Sequence, residues 1–157
     1  MRYGLWLWLA SFGLPGTLPA QAGADREAVL APIQRLFDGM RGGDSAAVRA
    51  AFHPAAFLAT VGARQGGTAL RVDTLEAFVR AVGTPREESW DERLHGTEVR
   101  IDGPLASVWT EYTFYVGGRF SHCGVDAFQL ARLPDGWRII ALTDTRRAEH
   151  CPSEEGR

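Results

Sequence analysis

Apolar side chains recur along this chain with two different periods. In the first half they return every three or four residues, the spacing of one helix face, and in the last third they fill β-rich runs. The helical spacing predicts three helices, over residues 26–40, about 45–53 and 74–82. A short hairpin of residues 57–61 and 69–72 is expected between the second and third helices.

Capping residues and helix breakers indicate where these helices begin and end. Asp25 is placed to cap the first helix, and Pro54 to terminate the second. The run Asp73-Thr74-Leu75-Glu76 resembles a capping box, in which Asp73 accepts early backbone N–H groups and Glu76 reaches back. The third helix is therefore expected to begin directly after Asp73.

The last third predicts an antiparallel meander. Its runs are rich in Val, Ile, Thr, Tyr, Phe and Trp, which suit a half-buried pleated surface, and turn residues separate them. A strand over about residues 93–101 precedes three longer ones, residues 105–115, 120–133 and 137–145. The predicted fold is α+β, with a strongly bent sheet wrapped against three helices and enclosing a pocket.

The N-terminal residues have the pattern of an export signal. Arg2 is followed by an apolar run over residues 5–14, and Ala20-Gln21-Ala22 provides the small residues that a signal peptidase needs. The apolar run is shorter than the roughly 20 residues of a membrane span. We expect residues 1–22 to be cleaved after Ala22, leaving a domain over residues 25–147 and a tail over 148–157 in a periplasmic or secreted protein without a membrane anchor.

Composition excludes several classes of partner and reaction. The chain has 17 basic and 19 acidic residues, and loss of Arg2 would change the net charge from −2 to −3. This balance does not predict nucleic-acid or membrane binding. Every basic residue is Arg, so Schiff-base chemistry and serine–lysine dyads are excluded. We expect neither a cofactor nor a metal.

The two cysteines, Cys123 and Cys151, predict a disulfide if the chain enters an oxidising compartment. If the final hairpin turns around Pro134-Asp135-Gly136, Cys123 lies near Arg147, and a tail that folds back could bring Cys151 to it. Two free thiols are the alternative. A His-Cys metal site is disfavoured, because adjacent strand residues such as His122 and Cys123 point to opposite faces.

The same hairpin register gathers the strongest polar cluster. It places Asp126 opposite Asp144, Phe128 opposite Leu142, Leu130 opposite Ile140 and Arg132 opposite Arg138. Two neighbouring carboxylates repel, so one would hold its proton more tightly and could act as a general acid or base. Arg146 could instead neutralise the pair in a purely structural network.

Further candidates for a binding site are histidines and aromatic residues. His122 lies within the polar cluster and could move protons, although a turn histidine more often bonds to the backbone. His53 could face the mouth of the pocket or stabilise a helix end. Trp90, Tyr112 and Tyr115 could line an apolar cavity or belong to the core. The predicted catalytic candidates are Asp126, Asp144 and His122, and the predicted ligand-binding residues are His53, Trp90, Tyr112, Tyr115, His122, Asp126, Asp144 and Arg146.

The order of elements and several motifs resemble the nuclear transport factor 2-like superfamily, also called SnoaL-like or ketosteroid isomerase-like. Within it, the chain is similar to the subgroup described as "putative lumazine-binding". The motifs are Ile101-Asp102-Gly103, Ala106-Ser107-Val108-Trp109, Tyr112-Thr113-Phe114-Tyr115, residues 118–124, Asp126-Ala127-Phe128, residues 136–139 and residues 144–147. The resemblance implies a cone-shaped antiparallel sheet and a homodimer formed through the outer sheet face.

Fold alone does not select a function within this superfamily. The primary hypothesis is an exported pocket protein that binds a small apolar or aromatic molecule. One alternative is a cofactor-free isomerase, dehydratase or cyclase that uses Asp126 or Asp144 as base and Tyr112, Tyr115 or His122 as oxyanion donor. Another is a dimeric assembly module without a ligand.

Overall fold

A computed structural model describes residues 19–64 and 67–152 of the protein. These residues form three helices and six strands. The helices are α1 (Pro19–Gly42), α2 (Ser45–Ala51) and α3 (Leu75–Gly83). The strands are β1 (Phe52–Arg64), β2 (Gly67–Asp73), β3 (Trp90–Asp102), β4 (Leu105–Val116), β5 (Arg119–Leu133) and β6 (Gly136–Arg146). The first 18 residues of the predicted signal lie outside the described residues, and no described helix meets the length and hydropathy of a membrane span.

Two predicted features of the first two helices are wrong. Asp25 does not cap α1, because the helix already begins at Pro19; its carboxylate accepts a hydrogen bond from Arg132 at 3.1 Å. Pro54 does not end α2, because Phe52 already has extended backbone angles and begins β1. The following strand, β1, is therefore longer than the strand predicted over residues 57–61.

The predicted capping box of α3 is also wrong. Thr74 is the cap, and its hydroxyl accepts the backbone N–H of Ala77 at 3.1 Å, while Asp73 is the last residue of β2. Glu76 pairs with Arg49 of α2 instead of reaching back to the cap. Its carboxylate thus ties two helices together, which a local pattern cannot reveal.

The six strands form one curled sheet in the order β2-β1-β6-β5-β4-β3. Strands β3 to β6 form the predicted antiparallel meander, and β1 and β2 form the predicted hairpin. The hairpin joins the meander through a parallel pairing of β1 with β6, the one pairing in the described sheet that departs from the antiparallel prediction. The fold is the predicted α+β cone, with the helices on the concave face.

The predicted register of the last hairpin holds near the polar cluster and fails near the turn. Asp126 faces Asp144 and Phe128 faces Leu142, as predicted. An irregularity between Gln129 and Leu130 then shifts the pairing by one residue. Consequently Leu130 faces Ile139 instead of Ile140, and Arg132 faces Trp137 instead of Arg138.

The core fills one end of the cone. Val29, Ile33 and Leu36, on one face of α1, are at most 1% exposed and belong to the same cluster as apolar side chains of the sheet. The sheet contributes Ala106, Val108, Phe128, Leu130 and Ile139. Each such side chain, fully buried, stabilises the fold by roughly 1.5–3 kcal/mol. The other end of the concave face is left to the cavity.

The disulfide between Cys123 and Cys151 is present, with the two Cα atoms 5.7 Å apart. As predicted, Cys123 lies beside Arg147, and the backbones of these two residues exchange hydrogen bonds of 2.8 and 2.9 Å. The bridge fixes the tail against the sheet face opposite the cavity. Its presence is compatible with an oxidising compartment.

Candidate functional site

A cavity of about 490 Å³ lies between the concave face of the sheet and helices α1 and α3. Its lining combines an apolar wall with a polar end. The described lining residues are Leu36, Phe37, Met40, Leu58, Ala59, Thr60, Arg71, Asp73, Ala77, Phe78, Ala81, Trp90, Glu92, Tyr112, Phe114, Val116, His122, Asp126, Leu142, Asp144 and Arg146.

Helices and strands contribute aromatic rings to the apolar wall. Phe37 comes from α1 and Phe78 from α3, while Trp90 of β3 and Phe114 of β4 are diagonal neighbours with ring centroids 6.3 Å apart. The guanidinium of Arg86 lies 3.9 Å from the centre of the Trp90 ring. A flat apolar molecule would find aromatic surface on both the helix side and the sheet side.

Asp144 organises the polar end. Its Oδ1 accepts the hydroxyl of Thr60 at 2.6 Å, and its Oδ2 accepts Nε of Arg146 at 2.7 Å and the hydroxyl of Tyr112 at 3.4 Å. Three strands thus converge on one carboxylate. The side chain is 13% exposed, whereas that of Arg146 is 48% exposed. The interaction therefore holds an accessible cation above a mostly buried carboxylate.

Asp126 and Glu92 form a second carboxyl group pair in the cavity. They are hydrogen-bonded to each other. Burial raises the pKa of Asp126 from 3.8 to about 7, with a further contribution from Asp144, while the hydrogen bond from Glu92 and the charge of Arg146 oppose the increase. Burial and the charge of Asp126 raise the pKa of Glu92 well above its ordinary value.

One oxygen of Asp126 is exceptional. The residue is 3% exposed, and no N–H or hydroxyl group among the described residues donates to its Oδ2, which leaves the Glu92 carboxyl group as the candidate donor within the protein. A buried carboxylate oxygen without a donor is costly, so this atom is stabilised only by a proton shared with Glu92 or by a donor from outside the protein. The polar end therefore has a buried acceptor that a donor group could satisfy.

Tyr112 is held by the end of β6. Its hydroxyl donates to the carbonyl oxygen of Thr145 at 2.8 Å, and its ring packs edge-on against the imidazole of His122 at 5.7 Å. Burial, with the nearby carboxylates, raises the pKa of Tyr112 far above its ordinary value. The phenol therefore remains a neutral hydrogen-bond donor near neutral pH.

His122 lies on the cavity side of β5. Its Nδ1 lies 3.0 Å from the hydroxyl of Ser121, and its ring is tilted against Phe114 with centroids 4.9 Å apart. Burial and the charge of Arg146 lower its pKa, against an opposing effect of Asp144. His122 is therefore neutral at pH 7, and its aromatic contacts make it part of the wall.

The structure brings six of the eight predicted binding residues to the cavity: Trp90, Tyr112, His122, Asp126, Asp144 and Arg146. The other two lie elsewhere. His53, in β1, accepts the backbone N–H of Ala55 through Nδ1. Tyr115 is on the opposite face of β4, where the guanidinium of Arg93 lies 4.4 Å from its ring centre. The roles of all eight in binding or catalysis remain predictions.

Sequence reasoning missed Glu92. The predicted strand began at about residue 93 and so excluded Glu92, whereas β3 begins at Trp90 and pairs Glu92 with Phe114. Residues directly opposite each other share a face, so Glu92 joins Phe114 in the cavity. Extending the strand by alternation from Trp90 would have found it. Among the described residues, no group of three or more His, Cys, Asp or Glu side chains could hold a metal ion.

Several solved structures have the same architecture and show which fold the protein has. A nuclear transport factor 2-like protein with a cystatin-like fold from Novosphingobium aromaticivorans is 17% identical, with a TM-score of 0.64 over 85% of this chain and 92% of that chain. A nuclear transport factor 2-like protein of unknown function from Shewanella baltica is 15% identical, with a TM-score of 0.60 over 88% and 100%. A Streptomyces avermitilis protein described as a putative dehydratase is 18% identical, with a TM-score of 0.62 over 80% and 98%. The protein has the nuclear transport factor 2-like fold.

The chain belongs to the family described as "putative lumazine-binding", whose model matches residues 24–143. No curated protein matches the chain in sequence. Family and fold together fit a small-molecule-binding protein.

Proposed function

We propose that the protein binds a small molecule with an apolar or aromatic body in the cavity described above. The observation that carries this proposal is the coexistence of an aromatic wall and a hydrogen-bonding end within about 490 Å³. Ligand pockets generally have volumes of about 300–1,000 Å³ and combine apolar walls with a few oriented polar groups. A purely structural module has no need for a cavity lined by buried carboxyl groups.

Native mass spectrometry of freshly purified protein tests this proposal, since a bound molecule would add a discrete mass. Titration with a fluorescent apolar probe gives an affinity independently. Ala77→Trp, at the cavity, should weaken probe binding about tenfold, or about 1.4 kcal/mol. Ala50→Trp, on the exposed surface of α2, is the matched control and should leave binding unchanged. Absence of both a copurified molecule and probe binding would refute the proposal.

A second candidate is a cofactor-free isomerase, dehydratase or cyclase. The observation that favours it is the proton shared by Glu92 and Asp126, with the pKa of Asp126 at about 7. A carboxyl group with a pKa near the working pH is suited to general acid–base catalysis. Asp126 would act as base, and Tyr112 or His122 would stabilise developing negative charge. Turnover of a copurified molecule, abolished by Asp126→Asn, would distinguish an enzyme from a binding protein.

We also propose export after cleavage at Ala22 and dimerisation through the outer sheet face. The support for export is the sequence of the first 22 residues together with the disulfide. Intact mass of the protein recovered from an exporting host tests it: a chain that begins at Gly23 is expected, and retention of Met1 would contradict it. The dimer is tested below.

A further inference from the structure

The cavity has an excess of carboxyl groups over cations. Two carboxyl groups at the cavity have a guanidinium partner: Asp73 pairs with Arg71 at 3.0 Å, and Asp144 pairs with Arg146 at 2.7 Å. Glu92 and Asp126, by contrast, are bonded to each other. Asp73 and Asp144 are therefore locally neutralised, while the second pair is not. Among the described residues, this leaves the cavity with about one negative charge once Asp126 is ionised.

The hydroxyl donors at the polar end, and Nε of Arg146, are already committed. The hydroxyls of Thr60 and Tyr112 donate to Asp144 and to the carbonyl of Thr145, respectively, and Arg146 donates to Asp144. An acceptor remains, because no N–H, hydroxyl or cationic group among the described residues donates to Oδ2 of Asp126. Beside Glu92 and Asp126, a ligand that brings only acceptors would meet carboxyl oxygens and be repelled, whereas a ligand that brings a charged N–H group would supply what this part of the site lacks.

Building on the proposed binding function, we propose that the ligand carries a protonated amine on its apolar or aromatic body and that this amine binds at Glu92 and Asp126. The amine replaces the shared proton as the group that stabilises two adjacent carboxyl groups. The aromatic body then lies against Phe78, Trp90 and Phe114. Binding should release a proton, because a cation at this position favours the ionised form of both carboxyl groups.

The other charged or titratable groups that face the cavity do not cancel the preference of Glu92 and Asp126 for a protonated amine. Arg71 and Asp73 of β2 form one ion pair, and Asp144 and Arg146 of β6 form another. His122 of β5 is held neutral by burial and by the charge of Arg146, and Tyr112 of β4 is neutral. The described lining residues from α1, α3 and β1 carry no charge.

Calorimetry with three naphthalene probes tests the inference. At pH 8, 1-naphthylmethylamine should bind the purified protein at least about tenfold more tightly than the neutral 1-naphthylmethanol, and 1-naphthoate should bind least. Asp126→Asn should reduce the advantage of the amine over the alcohol to within about threefold. Glu92→Gln should reduce it similarly, and provides a second measurement if one variant folds poorly. Glu98→Gln, an exposed change on the same strand, is the control and should retain the full preference.

Measurements in buffers of different ionisation enthalpy report the proton released with the amine. Release near pH 6 that disappears in Asp126→Asn supports the inference. Equal or tighter binding of the alcohol or the naphthoate by the unaltered protein overturns it, while leaving the proposed binding function intact. Failure of all three probes to bind would instead overturn the proposed binding function, and this inference with it.

Discussion

Gly124 lies where β5, the end of β6 and the ring of Tyr112 meet. A Cβ atom at this position would lie 1.8 Å from the carbonyl oxygen of Thr145 and 2.8 Å from Cε1 of Tyr112. Because the nearer contact is backbone, Gly124→Ala must separate the strands, and we expect a loss of about 1–3 kcal/mol in the free energy of unfolding.

Gly62→Ala is the matched control for this substitution. Gly62 also lies in a strand, but a Cβ atom there has nothing within 4 Å. Urea denaturation of both variants should show a lower midpoint for Gly124→Ala alone. Equal midpoints would mean that the backbone of β6 can move away from residue 124 without lowering the free energy of unfolding.

Asp126 should make the protein less stable as the pH rises. The unfolded chain ionises this group near pH 3.8, whereas the folded chain retains the proton until about pH 7. The folded state therefore binds more protons in this window, and the free energy of unfolding decreases from about pH 4 to about pH 7. At pH 8, Asp126→Asn should increase the free energy of unfolding by roughly 2–4 kcal/mol and raise the thermal midpoint accordingly. At pH 4 it should change both quantities little. Scanning calorimetry at the two pH values measures the difference, and stabilisation at both would contradict the assigned cause.

Arg146→Ala should raise the pKa of Asp126 further, because the guanidinium charge favours the ionised carboxylate. The cost in stability should be modest, about 1 kcal/mol, since solvent screens a half-exposed cation. A carboxyl ¹³C NMR titration measures the pKa directly. Arg138→Ala, which removes an ion pair with Asp135 away from the cavity, is the control. An unchanged pKa in Arg146→Ala would place the charge too far from Asp126 to matter.

At the scale of elements, the disulfide fastens the tail behind the strand that carries Asp126. It closes a loop between residues 28 positions apart, and the chain-entropy model assigns such a closure about 3–4 kcal/mol. The double variant Cys123→Ser/Cys151→Ser should lose about that much stability in urea denaturation, with a loosened tail detected by hydrogen exchange at Arg147. Non-reducing peptide mapping of the unaltered protein is the control for the pairing. Equal stability with and without the bridge would show that the tail adds nothing to the fold.

Much of the architecture could be predicted from local chemistry. The meander followed from β-rich runs between turn residues, and the face of α1 from the spacing of Val29, Ile33 and Leu36. The pairing of Asp126 with Asp144 followed from the turn alone. Alternation along a strand places Tyr112 and Tyr115 on opposite faces, although only the packed helices show that Tyr112 is the one that faces the cavity.

The remaining features depend on contacts that are distant in sequence. The parallel pairing of β1 with β6 has no local signal, so the hydrogen bond from Thr60 to Asp144, 84 residues apart, was not predicted. The irregularity near Leu130 shifts the pairing of β5 with β6 by one residue, and ideal strand alternation cannot anticipate such a shift. Glu92 was missed because the strand boundary was placed three residues late. The residues at which helices and strands begin and end depend on contacts with residues distant in sequence, and Glu92 lies near the start of β3.

For the whole molecule, the outer sheet face is the proposed dimer surface. Trp109, on this face, is 55% exposed, and Phe57, Leu70 and Val72 on the same face are between 47% and 62% exposed. Exposed apolar groups of this size favour association. Trp109→Glu should convert a dimer to a monomer in light scattering coupled to gel filtration. Glu27→Gln, an exposed change on α1, is the control, and a monomeric parent protein would refute the proposal.

The parallel pairing of β1 with β6 also has a kinetic consequence. The meander contains mainly neighbouring strands, whereas the hairpin of β1 and β2 must wait for β6 at the far end of the chain. Closing a long loop costs entropy before any contact forms, so we expect this pairing to form late during folding. Thr60 contacts Asp144 only when this pairing forms. The carboxyl groups of the cavity therefore remain hydrated until β1 has paired with β6. A chain that crosses a membrane unfolded would therefore desolvate its charges only after arrival, at the final step of folding.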